Sequence, residues 1–314
     1  MKQARYTPYL MLLIGVIAIA LSAIFIKWSE APTSVMGMYR LLFTVVLIAP
    51  FIRRGSPSHK PSKSSLRDIG LLALAGIFLG LHFLFWMESL VHTSVASSMV
   101  LLSLQPVFVA IGAFILFRER TPLGGALCMS LAIIGSAVIA WGDIGLSSQA
   151  LYGDLLSILG ALAYALYMLT GQALKDRISG LRYSLWVFAI AGGLLLLYNV
   201  SLGISLTHYP LREWGIFLLL ALIPTILGQL LFNHLLRYLE ASTISMAIVG
   251  EPVFAIILAY FMLGESSTIM QIIGGLITLA GIGGYFKLKY SHMMQGASPD
   301  LQEHKGESKS QQQV

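Results

Sequence analysis

Two ionisable side chains lie inside long apolar stretches of the sequence. Glu251 is near the middle of residues 242–263, and Arg40 lies within residues 34–52. If these stretches cross a membrane, a charged group at the bilayer centre costs about 2.5–3.5 kcal/mol or more, so it should face a cavity or a partner. Both side chains are therefore candidates for a functional site.

Two roles are open to Glu251. Burial favours the neutral carboxylic acid, which would let Glu251 bind and release a proton during a cycle of function. The alternative is a neutral acid that only packs beside the neighbouring Pro252. Gln105 occupies the corresponding place in an earlier apolar stretch and cannot titrate, so we expect a single ionisable centre of this kind.

Arg40 lies too deep in its stretch for the guanidinium to reach water easily along the helix surface. It therefore needs either an acidic partner or an anionic group of a substrate. Glu88 and Glu30 are the candidate acidic partners. Either role places Arg40 at a polar site inside the membrane.

Polar and kinked helices are predicted around these two residues. Pro106 and Pro252 each remove one backbone hydrogen bond, which predicts kinks in the fourth and ninth helices. The released carbonyl groups could line a pathway, or the kinks could serve packing alone. Asn233 and His234 make the eighth helix polar, either as a cavity wall or as hydrogen-bonded helix residues.

Aromatic side chains could complete such a cavity. Trp86 and Tyr164 would form walls against an apolar or aromatic substrate, or they pack between helices. The histidines have no ligand spacing of the HExxH kind, so we expect no metal and no cofactor. Cys128 is the only cysteine, which excludes an intrachain disulfide and a CxxC redox pair.

Composition shows which elements must position these residues. Of the 314 residues 57% are hydrophobic and 11% are charged, and the mean hydropathy is +0.80. Soluble domains have about 25% charged residues, so this chain predicts an all-α polytopic membrane protein. A helix needs about 20 apolar residues to cross a bilayer. Ten segments have this length: 9–27, 34–52, 69–87, 95–117, 123–141, 153–174, 183–203, 214–236, 242–263 and 270–288.

Lys and Arg residues collect at alternate ends of these segments. If the N-terminus is cytoplasmic, 17 of the 20 Lys and Arg residues lie in the cytoplasm, two lie outside and Arg40 lies within a span. The positive-inside rule then places both termini in the cytoplasm of a prokaryotic cell, with the chain in its plasma or inner membrane. Residues 289–314 are expected to form a disordered cytoplasmic tail. Because the basic residues lie at segment ends, we expect no nucleic-acid partner.

An internal repeat divides the chain. Residues 105–108 (QPVF) match residues 251–254 (EPVF) at an offset of 146. The same offset aligns Glu119 with Glu265 and Gly135 with Gly281. The halves are then 9–141 and 153–288, with five segments each. Since five is odd, the second half enters the membrane from the opposite side, and inverted repeats of this kind are characteristic of secondary transporters.

These tracts resemble a known family. Residues 104–108 (LQPVF) with 117–120 (FRER), and residues 250–254 (GEPVF) with 263–265 (LGE), look like two copies of the EamA domain of the drug/metabolite transporter superfamily. Residues 38–42 (MYRLL) resemble the family's second-helix arginine motif. The first copy departs from the pattern at Arg118, where the family commonly has glycine.

The resemblance implies a ten-helix fold that transports small metabolites, commonly outward. We therefore expect a secondary transporter that works by alternating access on an amino acid or a drug-like solute, with a proton or another ion as a coupling partner. The sequence leaves the substrate, the direction, the coupling ion and the oligomeric state open. The alternatives are a receptor or structural membrane protein, and an intramembrane enzyme built on Glu251 with His82 or His234. The chain has no GxxxxGK[ST] motif for ATP.

Overall fold

The computed structural model describes residues 3–54, 65–93, 95–141, 148–264 and 267–296. These residues form helices joined by short turns, and they contain no strand. The helices are α1 (Gln3–Trp28), α2 (Thr33–Arg54), α3 (Leu66–His92), α4 (Val95–Leu102), α5 (Gln105–Phe117), α6 (Leu123–Ile139), α7 (Ser148–Leu174), α8 (Gly180–Ser201), α9 (Leu211–Leu220), a π-helical segment (Ala221–Leu230), α10 (Leu231–Leu235), α11 (Ala241–Ile248), α12 (Glu251–Leu263) and α13 (Ile269–Gly296).

The described part of the chain contains nine stretches that are long and apolar enough to cross a membrane. The tenth predicted segment, 123–141, corresponds to α6, a shorter apolar helix of 17 residues. At a rise of 1.5 Å per residue α6 is about 25 Å long, a little less than the hydrocarbon thickness of about 30 Å. The architecture is that of an all-α, multi-pass membrane protein.

Large apolar side chains cover the outside of the helix bundle. Ile115 on α5, Leu197 on α8 and Phe261 on α12 are each more than 60% exposed. A continuous apolar surface of this kind is rare on soluble monomers, and it suits contact with lipid chains. The interior is filled by residues such as Tyr167 on α7 and Phe188 on α8, which are completely buried.

The same local geometry recurs 146 residues apart. Helices α4 and α11 have 8 residues each and start at 95 and 241, while α5 and α12 have 13 each and start at 105 and 251. After α5 and after α12 the chain turns through a left-handed residue, Arg118 with φ 58° and Gly264 with φ 70°. Only glycine adopts this conformation without steric cost. The EamA pattern commonly has glycine where this chain has Arg118, and the left-handed backbone gives the reason.

At Pro106 and Pro252 a short turn separates two helices of the same span. Each proline is the second residue of a new helix, a position where no backbone N–H is needed. The first residue of each new helix is polar, Gln105 in α5 and Glu251 in α12. Two turn residues, 103–104 and 249–250, separate each new helix from the preceding one.

The C-terminal helix α13 is longer than its predicted segment and continues to Gly296. The start of the predicted disordered tail is therefore helical. Residues 297–314 lie outside the described part of the chain, as does Glu265 of the repeat match.

Candidate functional site

A cavity of about 90 Å³ lies beside the two helix breaks, between the two repeats. Helices from both halves of the chain contribute to its wall. The residues that line it are Ile19, Ser22, Arg40, His82, Phe83, Trp86, Met99, Leu102, Ser103, Gln105, Tyr164, Gln229, Ile248, Val249, Glu251 and Pro252.

The structure brings together six of the residues that the sequence singled out. Arg40, Gln105, Glu251, Trp86, Tyr164 and Pro252 all line this cavity, although they come from five different helices. Arg40 and Glu251 are the charged side chains of the lining. The site is therefore formed where the broken spans of the two repeats meet α2, α3 and α7.

Arg40 is held by neutral groups. Its side chain is 94% buried, since its exposed fraction is 6%. The Nε atom donates to Thr225 Oγ1 at 3.1 Å, and Nη1 is 3.5 Å from Ser22 Oγ. The guanidinium carbon lies over the Phe83 ring, 5.2 Å from its centroid, which is a cation–π arrangement.

The predicted acidic partners of Arg40 lie elsewhere. Glu88 accepts hydrogen bonds from His92 Nε2 and from the Tyr198 hydroxyl, both at 3.3 Å. Glu30 is exposed at the end of the α1–α2 turn. Among the described residues, no carboxylate forms an ion pair with Arg40.

Glu251 lines the cavity together with Arg40. Among the residues that the structure describes, no side chain or backbone group donates a hydrogen bond to its carboxyl group. The Arg40 guanidinium is close enough to interact electrostatically with this carboxyl group, although the two do not form an ion pair. A carboxylate at the start of a helix is favoured by the helix dipole. However, α5 starts in the same way with the neutral Gln105, so the charge is not needed to begin the helix.

Polar and aromatic groups surround this pair. His82 donates from Nδ1 to the Gly160 carbonyl at 3.0 Å, and its ring is parallel to that of Trp86. The indole Nε1 of Trp86 is buried and has no hydrogen-bond partner in the described part of the chain. Tyr164 packs edge-on against the His82 ring. The cavity therefore combines one cation, one acid, several amide and hydroxyl groups, and an aromatic wall.

Four predicted residues do not line the cavity. Asn233 accepts a hydrogen bond from the Tyr167 hydroxyl and donates to Ser184 Oγ at 2.9 Å, so it joins α7, α8 and α10. The His234 ring packs against Tyr238. Glu88 and Pro106 are also outside the lining. Asn233 and His234 thus belong to the packing of the eighth span.

A π-helical segment, Ala221–Leu230, supplies groups that the sequence reasoning missed. Pro224 within it has no N–H, so the Leu220 carbonyl lacks its normal helical donor. The Thr225 hydroxyl donates to this carbonyl at 2.8 Å. Pro224 was the available signal, but a proline alone does not indicate which side chain takes over the hydrogen bond.

The cavity is asymmetric with respect to the repeat. Met99 and Leu102 of α4 line it, whereas α11 contributes only its last residue, Ile248. Every residue from 241 to 250 is buried. The half of the ninth span that precedes the turn is therefore packed inside the protein along its whole length. The cavity extends along α4 instead.

A second polar network joins the repeats on the α11 side. Gln172 on α7 donates from Nε2 to Glu119 Oε1 at 2.7 Å, and its Oε1 accepts from the Ala241 backbone. Lys289 forms an ion pair with Glu240 nearby. Burial, reinforced by the negative charge of Glu240, raises the pKa of Glu119 above its ordinary value. These contacts hold the start of α11 against the α5–α6 turn.

The described residues contain no group of three or more His, Cys, Asp or Glu side chains that could hold a metal ion.

Comparison with known proteins assigns the fold. The model of the EamA-like transporter family matches residues 7–141 and 151–286. The chain belongs to the EamA-like transporter family. It is a membrane transporter of the drug/metabolite transporter type, with a small-molecule substrate and a lipid environment.

The relatives are prokaryotic transporters. An uncharacterized transporter from Archaeoglobus fulgidus is 26% identical over 85% of this chain and 94% of its own length. The uncharacterized transporter YyaM from Bacillus subtilis is 28% identical, over 80% of this chain and 82% of its own. A probable terminal-alkyne amino-acid exporter from Streptantibioticus cattleyicolor is 24% identical, over 79% of this chain and 82% of its own.

A solved crystal structure is similar in fold, with a TM-score of 0.75 and 14% identity. It covers 90% of this chain and 99% of its own chain.

Proposed function

We propose that this EamA-family transporter exports a small zwitterionic solute of the amino-acid class by alternating access. One observation carries the proposal: Arg40 and Glu251 line one cavity without forming an ion pair. Each of these charges is therefore available to a group of opposite charge on the solute. The similarity to the probable terminal-alkyne amino-acid exporter of Streptantibioticus cattleyicolor supports this substrate class.

Each end of an amino acid would meet a complementary group. The α-carboxylate would bind the guanidinium of Arg40, which can donate two parallel hydrogen bonds. The α-ammonium would bind the Glu251 carboxylate. Phe83, Trp86 and Tyr164 would contact an apolar or aromatic side chain. A site this small favours a compact solute over a bulky drug.

Glu251 would also couple transport to protons. An ammonium group and a proton compete for one carboxylate, so Glu251 cannot hold both at once. A cycle in which the solute leaves outward and a proton returns inward would then use the same group on both legs. The neutral mate Gln105 supports a single coupling site rather than two.

The asymmetry between α4 and α11 supports alternating access. In an inverted repeat, exchanging the conformations of the two halves converts a state open to one side into a state open to the other. Here the α4 side carries the cavity and the α11 side is sealed by buried residues and by Gln172. The opposite state would seal α4 and release α11.

Counterflow in proteoliposomes tests the proposal. Vesicles preloaded with one amino acid at a time should accumulate the same radiolabelled amino acid for at least one member of the set. Arg40→Gln should abolish this exchange, and Arg40→Lys should weaken it because a lysine ammonium cannot bind a carboxylate bidentately. Arg212→Gln, which removes an exposed charge at the start of α9, is the matched control.

Derivatives of the transported amino acid sharpen the test. A methyl ester lacks the carboxylate and an N-acetyl derivative lacks the ammonium, so both should compete poorly. Competition by both derivatives as strong as by the parent amino acid would refute zwitterion recognition. Chemical turnover without vectorial movement would instead favour an enzyme, and binding without either would favour a receptor.

A further inference from the structure

We propose that Thr225 is a positioning residue that orients the Arg40 guanidinium, so that Arg40 presents its terminal nitrogen atoms to the carboxylate of the solute. This inference rests on the proposed function. It adds a specificity-determining residue that lies outside the cavity lining and 185 positions from Arg40 in the sequence.

The direction of the hydrogen bonds at Thr225 is fixed by its backbone. Thr225 is completely buried, and its Oγ1 donates its one proton to the Leu220 carbonyl at 2.8 Å. A carbonyl oxygen can only accept, so the one hydroxyl proton of Thr225 is committed there. The oxygen of Thr225 can then act towards Arg40 only as an acceptor, which matches the 3.1 Å contact from Arg40 Nε.

This contact decides which edge of the guanidinium is free. Arginine has five N–H donors in a rigid plane, and a carboxylate can bind either the Nε–Nη edge or the edge formed by the two Nη atoms. Thr225 occupies Nε, and the Phe83 ring lies against one face of the plane. Ser22 makes only a long contact of 3.5 Å with Nη1. The edge formed by the two Nη atoms is thus left for the solute.

The π-helical segment places the Thr225 hydroxyl beside Arg40 Nε. In a regular α-helix each residue turns by 100°, and the wider π-helical turn changes which residues of α9 and α10 share a face. Thr44 on α2 strengthens the contact, since its hydroxyl lies 2.7 Å from the Arg40 carbonyl and 3.3 Å from that of Ala221, the first residue of the segment. Backbone and side chain of Arg40 are therefore both tied to the segment.

Substitution of Thr225 by isosteric valine tests the proposal. Thr225→Val keeps the volume and removes the acceptor, whereas Thr225→Ser keeps the acceptor. The matched control is Thr243→Val, because Thr243 is equally buried and its hydroxyl has no hydrogen-bond partner among the described residues. The measurement is amino-acid counterflow, analysed for KM and maximal rate, with the amino-acid amide as a competitor that lacks the carboxylate.

Loss of one hydrogen bond to a charged group should raise KM about tenfold in Thr225→Val. The maximal rate should remain within about twofold, and the preference for the acid over its amide should shrink by the same factor. Thr225→Ser should restore both values, and Thr243→Val should leave them unchanged. If Thr225 had a purely structural role, Thr225→Val would lower the amount of active protein without changing the preference for the carboxylate.

The possible failures are distinguishable. If Thr225→Val keeps KM and the acid preference while Arg40→Gln destroys transport, the positioning role is wrong and the proposed function stands. If Arg40→Gln has no effect, the proposed function is wrong and the inference falls with it. Should Thr225→Val not fold, Thr225→Cys replaces the oxygen by a much weaker sulfur acceptor, and an unchanged acid preference there would equally refute the positioning role.

Discussion

The hydroxyl oxygen of Thr278 on α13 donates to the Gly274 carbonyl at 2.9 Å and lies 3.4 Å from the carbonyl oxygen of Ala132 on α6. Thr278 and Ala132 are repeat mates, 146 positions apart. A residue can touch its own mate only where the axis that relates the two halves passes. If the two halves form the predicted inverted repeat, the α6–α13 crossing marks its pseudo-two-fold axis. We therefore expect the close packing of α6 against α13 to be needed for the stability of the protein.

Gly135 lies at this crossing. A Cβ atom added there would meet the Thr278 backbone nitrogen at 2.4 Å, which neither backbone can accommodate without moving. We expect Gly135→Ala to lower the free energy of unfolding by about 1–3 kcal/mol through overpacking. Gly193→Ala is the control, because nothing lies within 4 Å of the Cβ at that position. Thermal unfolding in detergent measures both variants. Equal melting temperatures for Gly135→Ala and Gly193→Ala would show that the α6–α13 crossing accepts a Cβ atom at position 135.

The orientation of the chain follows from its charge distribution. The predicted 17 cytoplasmic Lys and Arg residues out of 20 should place both termini and the loop 53–67 in the cytoplasm. Fusions of an alkaline phosphatase and a fluorescent reporter to successive loops measure this directly. A C-terminus found outside the cell would exclude an even number of spans, and with it two inverted halves of five spans.

Glu251→Gln separates proton coupling from solute binding. Glutamine keeps the size and hydrogen-bonding capacity of the side chain but cannot titrate. Transport driven by a pH gradient should collapse by at least tenfold, a loss of about 1.4 kcal/mol or more in coupling. Counterflow should survive with reduced affinity, because exchange does not require a proton cycle.

Two variants control this experiment. Glu30→Gln removes an exposed carboxylate outside the cavity and should leave the pH-driven flux unchanged. Gln105→Ala alters the mate of Glu251 and should change solute affinity but keep the pH dependence. Undiminished pH-driven flux in Glu251→Gln would rule out the proton-carrier role.

Glu119 should make stability depend on pH. Because burial, followed by the charge of Glu240, raises its pKa in the folded protein, the folded state binds this proton more tightly than the unfolded chain. That stabilisation is complete below the unfolded value of 4.5 and is lost as the pH rises through the raised value. Titration of Glu119 should therefore lower the stability of the wild type as the pH rises from 4.5 through the raised pKa.

Glu119→Gln keeps an acceptor for Gln172 and removes the titration. The fall in melting temperature from acidic to neutral pH should be smaller in this variant than in the wild type. Glu30→Gln, an exposed acid, should behave like the wild type. The hydrogen bond from Gln172 and the charges of Lys289 and Lys175 oppose the rise in the pKa of Glu119. An unchanged pH profile would mean that together they compensate for burial fully.

The spans and the position of the site could be predicted from the sequence. Apolar length located the helices to within a few residues, and the QPVF and EPVF tracts located both helix breaks. The cavity residues Arg40 and Glu251 were predictable because an ionisable group in an apolar segment has few alternatives to a cavity.

The partners of Arg40 could not be predicted in this way. Charge complementarity predicts an acidic partner such as Glu88. In the structure Arg40 contacts the neutral hydroxyl of Thr225 and the ring of Phe83. A threonine in an apolar helix carries no pattern that marks it as a ligand. Its contact with Arg40 joins residues 185 positions apart, within a π-helical segment that contains Pro224.

The charges of the cavity have an electrical consequence. Under the proposed exchange, with Arg40 protonated throughout, a carrier with protonated Glu251 would move one net positive charge, whereas a carrier with ionised Glu251 and a bound zwitterion would move none. Under the proposed exchange only the proton-loaded leg would respond to the membrane potential, with about 2.3 kcal/mol per 100 mV for a charge that crosses the full field. A cell that is negative inside would thus expel the solute even when its internal and external pH are equal.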